Sequence, residues 1–496
     1  MANYFIAVGG TGQNVALAYY RLCKLAGYCP ANIYVLDSDL SISGHEADFK
    51  RIDPIPVPPC IEPAQRNSFR DLFNPVQNLN MNTLLSVLFA RQDLITSIDK
   101  GMFGKPSVGS ATIMDKIDLI DGDKTMQQSC RQSDVPFANL LQALQSPGNH
   151  RVVICGSAMG GTGAGGVPTL AQYLAAQVDR NRVKIVILYF LRYFNIQQPQ
   201  GSLSFAQISN DQIKMNAESG MCYLVGEITE GVDACVLFGL HDPIDIPYRE
   251  AQNQEETTSF LYLLAAIIGN NTYYADLSQY FPLNPDKVYA YWIPYHIPSN
   301  VSELMLSDVK VYMPNGAVVG FDNIAKLASS TIDFLDIFAK YIEPLPKYSF
   351  VPSLAVPRKL KNTIKALNNA MQIEKERLLE DLALEIRRTK DAIQSNFQWL
   401  TRLLQNECSL AGQRPQATIL SPNNNQNVIS VSGEKYQDVK KHPMKFLRAL
   451  MNKDVDWGNR PTASADLVNP LVIGIRKSIN RGFLNEAFGR NINFTY

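Results

Sequence analysis

The sequence predicts an α/β fold. A doubly wound, mainly parallel sheet is expected over residues 1–297, and a largely helical region over 298–496. Three observations predict this. Short uninterrupted apolar runs, of the kind found in strands buried on both faces, alternate with stretches of helical periodicity up to about residue 300. Two of those runs end in uncharged glycine loops that lead into helix-like stretches. Beyond about residue 300 the texture changes to long segments with apolar residues spaced three and four apart.

The elements follow in order. Residues 4–8 form an apolar run that ends in Gly9-Gly10-Thr11-Gly12, and 15–25 has helical periodicity. A second run at 33–36 closes in Asp37-Ser38-Asp39, so the first forty residues read as a βαβ unit with an acidic turn. A proline-rich connection, "DPIPVPPCIEP" (53–63), precedes helical stretches near 82–98. Strands are expected at 151–155 and 184–190, with the loop "CGSAMGGTGAGG" and a helix from about Gly165 between them. A helix at 204–226, a strand at 233–239, a helix at 250–268 and a strand at 287–293 complete the alternation. After that, 321–338 reads as a helix. From 357 to 408 Leu360, Ile364, Leu367, Met371, Leu378, Leu382, Ile386, Ile393, Phe397, Leu400 and Leu404 make an amphipathic stripe. That stripe suits either a helix packed on its own domain or a coiled coil for a partner. The stretch 411–435 is polar and reads as a loop.

Composition narrows the function classes. The 496 residues allow roughly two to four domains of ordinary size. Forty-six basic residues balance forty-six acidic ones, which gives no footprint for nucleic acid or a charged membrane. Eight cysteines form no CxxC pair, and five histidines show no metal-ligand spacing. These features predict free thiols in a reducing compartment. The chain enters a strand at once, and the longest apolar runs, such as 260–269, reach about half the ~20 residues of a membrane span. The expectation is a soluble, cytoplasmic protein with neither a membrane nor direct nucleic-acid binding.

The glycine loops carry the chemistry. A glycine turn between strand and helix lets backbone N–H groups approach a phosphate at the helix N-terminus. With Asp37 closing the next strand, Gly9-Gly10-Thr11-Gly12-Gln13-Asn14 suits a dinucleotide-binding unit, but the third small position of GxGxxG falls on Val15. A tight structural turn is the plainer alternative. "MGGTGAGG" (159–166) is a second such loop, and no GK[ST] follows to make it a Walker A motif. Two phosphate loops on one sheet exceed what a dinucleotide fold needs.

"GGTGAGG" resembles the GGGTG[ST]G signature of the tubulin/FtsZ superfamily, with alanine at the Ser/Thr position. Other segments fall in that family's order: "VGGTGQN" (8–14) and "LDSDL" (36–40), then "PSVGSA" (106–111), which is similar to PEVGRxA. "NAESGMCYL" (216–224) resembles FAEQGITEL, and "NTYYADL" (271–277) resembles NVDFADV. The resemblance covers residues 1 to about 297. The C-terminal 200 residues resemble neither tubulin nor FtsZ, and the chain looks most like divergent bacterial tubulin-like proteins. The resemblance implies GTP or GDP with Mg²⁺. It places Gly9, Gly10, Thr11, Gly12, Gln13 and Asn14 on the phosphates, and Asp37 and Asp39 near Mg²⁺, where a simple Asx turn is the alternative. It implies that Gly109 and Ser110 cap the γ-phosphate and that Gly160, Gly161, Thr162, Gly163 and Ala164 form the main cradle. A bulky residue at Gly161 or Gly163 is then expected to block the ligand. Lys214 is a candidate for ribose or phosphate, and Asn253 or Gln254 for the purine edge, with ordinary surface positions as their alternatives.

In that family a carboxylate from the next subunit completes hydrolysis. Asp276 matches one acid of the family's loop, and Tyr273 stands where the other would be. The resemblance therefore implies head-to-tail self-assembly into filaments, with GTP turnover resting on Asp276 alone. Two alternatives stay open: a non-polymerising guanine-nucleotide scaffold or switch that meets a dedicated partner through its C-terminal helices, and an NAD(P) enzyme.

Overall fold

In a computed structural model the described residues are 2–37, 49–52, 102, 104–121, 135–197, 209–228, 231–240, 243–247, 260–281, 287–293, 309–342 and 375–410, with isolated positions at 87, 89, 90, 93, 468, 470–473, 475 and 476. Asp39, Asn253, the connection 53–63, nearly all of 82–98, the stripe before 375 and the loop 411–435 lie outside them. The chain divides into two compact units, residues 1–20 with 30–298 and residues 21–29 with 299–496.

The first unit is built on a seven-stranded sheet. Its strands are β1 (Ala2–Val8), β2 (Asn32–Leu36), β3 (Phe49–Ile52), β4 (His150–Ser157), β5 (Val183–Phe190), β7 (Ala234–Leu240) and β9 (Val288–Ile293). The order is β3-β2-β1-β4-β5-β7-β9, and every pairing is parallel. A second pair, β6 (Phe194–Gln197) and β8 (Ile244–Pro247), is also parallel. The apolar runs read as strands because both faces of a parallel sheet are covered. Ile6, Val8, Val152, Ile154, Ile185 and Ile187 meet helices α2 (Pro106–Asp121), α3 (Val135–Gln145) and α4 (Gly161–Gln177) through Ile113, Ile117, Leu140, Leu144, Val167 and Leu174. The alternate residues face the opposite layer. Phe5 stacks on Tyr19 of α1 (Gly9–Ala26), with ring centroids 5.4 Å apart. Phe190 meets Tyr262 of α6 (Phe260–Tyr274). Each fully buried Ile, Leu or Phe of these layers contributes about 1.5–3 kcal/mol.

Element bounds depart from expectation where tertiary packing outweighs local propensity. Helix α1 begins at Gly9 rather than near 15, and α4 begins at Gly161 rather than near 165. Glycines discourage helix in isolation. Here they allow the first turns to lie directly on neighbouring backbone: a Cβ on Gly163 would sit 2.5 Å from Ser157 O, and one on Gly161 would sit 2.6 Å from Met102 O. The helix expected over 204–226 is α5 (Asn210–Tyr223), continued by a π-helical turn, Leu224–Ile228. Helix α6 runs on through the Asn-Thr-Tyr-Tyr of "NTYYADL", which leaves only Ala275 and Asp276 between it and the short turn α7 (Leu277–Tyr280). Five cysteines among the described residues are free thiols, and burial pushes Cys235 up to about 12.

In the second unit, β10 (Lys310–Tyr312) and β11 (Val318–Gly320) form an antiparallel hairpin. Gly316 at its turn takes φ +81°, which suits Asn-Gly chemistry. Helix α8 (Phe321–Ile342) packs along α9 (Lys375–Leu410). The stripe residues Leu382, Ile386, Ile393 and Leu400 are buried, as are Phe334 and Phe338 of α8. Lys390 and Asp336 pair at 3.1 Å. Over its described part the stripe is thus the core of its own unit. No helix among the described residues is long and apolar enough to cross a membrane.

Candidate functional site

The strand order reverses between β1 and β4, which pair directly while their following helices diverge. In open α/β sheets ligands bind at such a point, beyond the carboxyl ends of the strands. The loops after β1 and after β4 meet there. A Cβ on Gly9 would lie 3.3 Å from Gly163 N and 3.4 Å from Thr162 Cβ, so the two glycine loops touch. The start of α2 joins them: a Cβ on Gly109 would overlap Gly161 O, and one on Gly165 would overlap Pro106 O and Ser110 N. Ser110 Oγ donates to Gly165 O at 3.1 Å. Gly9, Gly109, Gly161, Thr162, Gly163 and Gly165 are thereby brought together, Gly12 packs on Cys155 O and Ala7, and most of these glycines are consumed by backbone-to-backbone packing.

Gly10 and Gly160 differ. Beyond the adjoining residues and the helix's own backbone, no described atom lies within 4 Å of a Cβ built on either. Gly160 is the N-cap of α4 with φ −94° and ψ 156°, a conformation open to any residue, and no side chain caps the helix. Neither α1 nor α4 carries an acid in its first turn. Two helix N-termini whose first turns carry no acid therefore lie at this end of the sheet, where the two glycine loops touch. That arrangement suits an anion with several oxygens.

Among the described residues Asp37, directly after β2, is a carboxylate at this end of the sheet. It is 4% exposed, and Gln13 of α1 donates to its Oδ2. A buried carboxylate of this kind could hold a Mg²⁺ ion, which keeps much of its water and takes few protein ligands. Among the described residues no group of three or more His, Cys, Asp or Glu could hold a metal by itself. Thr11 Oγ1 lies 3.0 Å from the Tyr193 hydroxyl. Lys214 sits on the exposed side of α5, 3.9 Å from Glu218. Two residues on, Asn216 is buried and donates to Gly104 O at 2.7 Å. A separation of two residues is about 200° around a helix, so Lys214 faces away from the loops that Asn216 touches. Asn216 opens the "NAESGMCYL" segment, but nothing in the sequence marks its bond to Gly104 O, and nothing there marks Tyr193 or Tyr262.

Asp276 lies at the other end of the sheet. Arg151, one residue into β4, donates to Thr272 O at 2.7 Å and Ala275 O at 2.6 Å, closing the C-terminus of α6 beside Asp276. Six residues of strand separate Arg151 from Ser157, or roughly 20 Å, so Asp276 and the glycine loops occupy opposite edges. Burial lowers the Arg151 pKa, and Asp276 opposes that shift. Asp276 is exposed and caps α7: its Oδ1 accepts from Ser278 Oγ at 2.7 Å and Ser278 N at 3.0 Å. Those bonds, the hydroxyl first, hold its pKa below the ordinary value. A depressed carboxylate contributes stability above its unfolded pKa and loses it as pH falls through the folded one, so its contribution disappears on the acid side of about pH 4. Ser278→Ala is expected to raise the Asp276 pKa towards the ordinary value, as followed by NMR titration of the carboxyl carbon. Tyr273, where the resemblance implies a second acid, is fully buried and donates to Tyr4 O at 2.8 Å.

No protein-family model matches the chain, and no curated protein matches it. Among solved structures it is similar to CetZ2 from Haloferax volcanii, described as a GTPγS-bound protofilament. The identity is 14% and the TM-score 0.27, with 57% of this chain and 60% of that one covered, less than two thirds of the other protein's length.

Proposed function

We propose that this chain binds GTP between the N-termini of α1 and α4 and assembles head to tail. The Asp276 edge of one subunit would meet the glycine-loop edge of the next, and hydrolysis would be completed across that junction. The observation that carries the reading is the pair Gly10 and Gly160: bare backbone at two helix N-termini, required neither by conformation nor by protein packing. The guanine identity rests on the sequence resemblance. A lone subunit cannot bring Asp276 to its own loops, because β4 separates them by roughly 20 Å. Stacking copies along the strand direction removes that separation, and such heterologous contacts extend into filaments when the rotation does not close.

In this reading the backbone N–H groups of α1 and α4 hold the phosphates, and Gly109 and Ser110 support the α4 turn from behind. Asp37 would hold a hydrated Mg²⁺, which would supply charge neutralisation. Asp276, ionised across the neutral range, orients and polarises a water for attack. A second reading, a guanine-nucleotide scaffold or switch that does not polymerise, is favoured by Tyr273: a buried phenol replaces one acid and leaves the junction a single carboxylate.

Right-angle light scattering of the purified protein with GTP, alongside phosphate release and an ATP control, tests both. A GTP-specific rise that decays as phosphate appears is the expected result. Bound guanine nucleotide with no rise selects the switch. Equal responses to GTP and ATP, or no nucleotide bound at all, overturn the guanine site.

A further inference from the structure

Three hydroxyls run in an unbroken chain from the first glycine loop into the protein. Thr11 Oγ1, in the first turn of α1, lies 3.0 Å from the Tyr193 hydroxyl, which lies 2.8 Å from that of Tyr262 in the first turn of α6. Tyr193 is 2% exposed and Tyr262 4%. The Tyr193 ring is fixed on several sides, edge-on to Phe190, Phe194 and Tyr262. Burial, above all, raises the Tyr193 pKa far above the ordinary phenol value, so it stays protonated.

Each hydroxyl has one proton, so the chain has two directions. In one, Tyr262 donates to Tyr193, Tyr193 donates to Thr11, and the Thr11 proton is left for an acceptor outside. In the other, Thr11 spends its proton on Tyr193 and presents only a lone pair outward. An anion beside Gly10 selects the first direction, and hydrogen bonds aligned in series strengthen one another.

We infer that Tyr193 is a positioning residue for the phosphate site: seated on Tyr262, it donates to Thr11, which fixes the Thr11 side chain and polarises its hydroxyl for donation to a phosphate oxygen. This rests on the nucleotide reading above.

The test is a double-mutant cycle on affinity for a fluorescent N-methylanthraniloyl GTP, using the full chain. Tyr193→Phe is expected to weaken binding about three- to tenfold, the range of one hydrogen bond. It should do so again in a Thr11→Ser background, where the hydroxyl remains. In a Thr11→Val background it should cost nothing further, because the group it acts through is gone. A merely structural tyrosine would lower the melting temperature and weaken binding equally in both backgrounds, and that result overturns the inference. So does unchanged affinity in Tyr193→Phe while the natural protein binds. If the natural protein binds no nucleotide, the site reading falls and this inference with it, a result distinct from the other two.

Discussion

Gly160→Val is expected to abolish guanine-nucleotide binding while the nucleotide-free protein melts no lower than before. The position has φ −94° and ψ 156°, which valine adopts readily, and beyond its chain neighbours nothing described lies within 4 Å of the added Cβ. Replacing glycine at a compatible position stabilises by about 0.4–1 kcal/mol through the unfolded chain, which offsets the comparable preference of a helix N-cap for glycine over valine. Its side chain would fill the space where the ligand must approach the α4 donors. Gly10→Val should behave alike. Gly163→Val should do the reverse. Its Cβ would press on Ser157 O at 2.5 Å and Ser157 N at 2.7 Å, both backbone atoms that cannot step aside. The expected cost is at least ~1–3 kcal/mol, visible as a lower melting temperature with or without ligand. Gly161→Val belongs with it, since Met102 and Lys105 stand 2.5–2.8 Å from its Cβ. At Gly161 and Gly163 the added Cβ meets protein atoms, so a bulky residue there is expected to act through the fold as well as on the ligand. Calorimetric titration paired with thermal melts checks all four variants. Loss of binding at Gly163 with an unchanged melt, or tight binding in Gly160→Val, would refute this assignment.

The second large effect is expected at Asp276. Asp276→Asn keeps an oxygen for the α7 cap, since asparagine caps as well as aspartate, and removes the charge. Nucleotide binding should be unchanged, and phosphate release should fall by about 10²–10⁴, the range for a positioned acid–base group. Mixing gives a sharper readout. Gly160→Val subunits cannot bind nucleotide but carry an intact Asp276, whereas Asp276→Asn subunits bind but lack the acid. If the acid acts across a junction, the mixture should release phosphate faster than either variant alone. A mixture no faster than Asp276→Asn alone would place the acid's action within one subunit, or nowhere.

The sequence by itself determined the parallel sheet, because strands covered on both faces must be continuous apolar runs, and 4–8, 151–155 and 184–190 are such runs. It also determined that two glycine loops follow β1 and β4, since loops at the ends of buried strands announce themselves by composition. What only the tertiary structure decided is which glycine serves which purpose. Gly160 and Gly163 are indistinguishable as letters, yet one faces open space and the other lies on Ser157. Likewise only the fold joins Tyr193 to Thr11 across 182 positions and Asn216 to Gly104 across 112. Tyr273 and Asp276 stand three residues apart, but the helix runs through the first and ends before the second. One is therefore sealed against Tyr4 and the other is left in solvent. The physical reason is common to all of these. Local pattern fixes how a segment meets water on average, whereas hydrogen-bond partners and contact distances depend on which distant segments the sheet brings alongside.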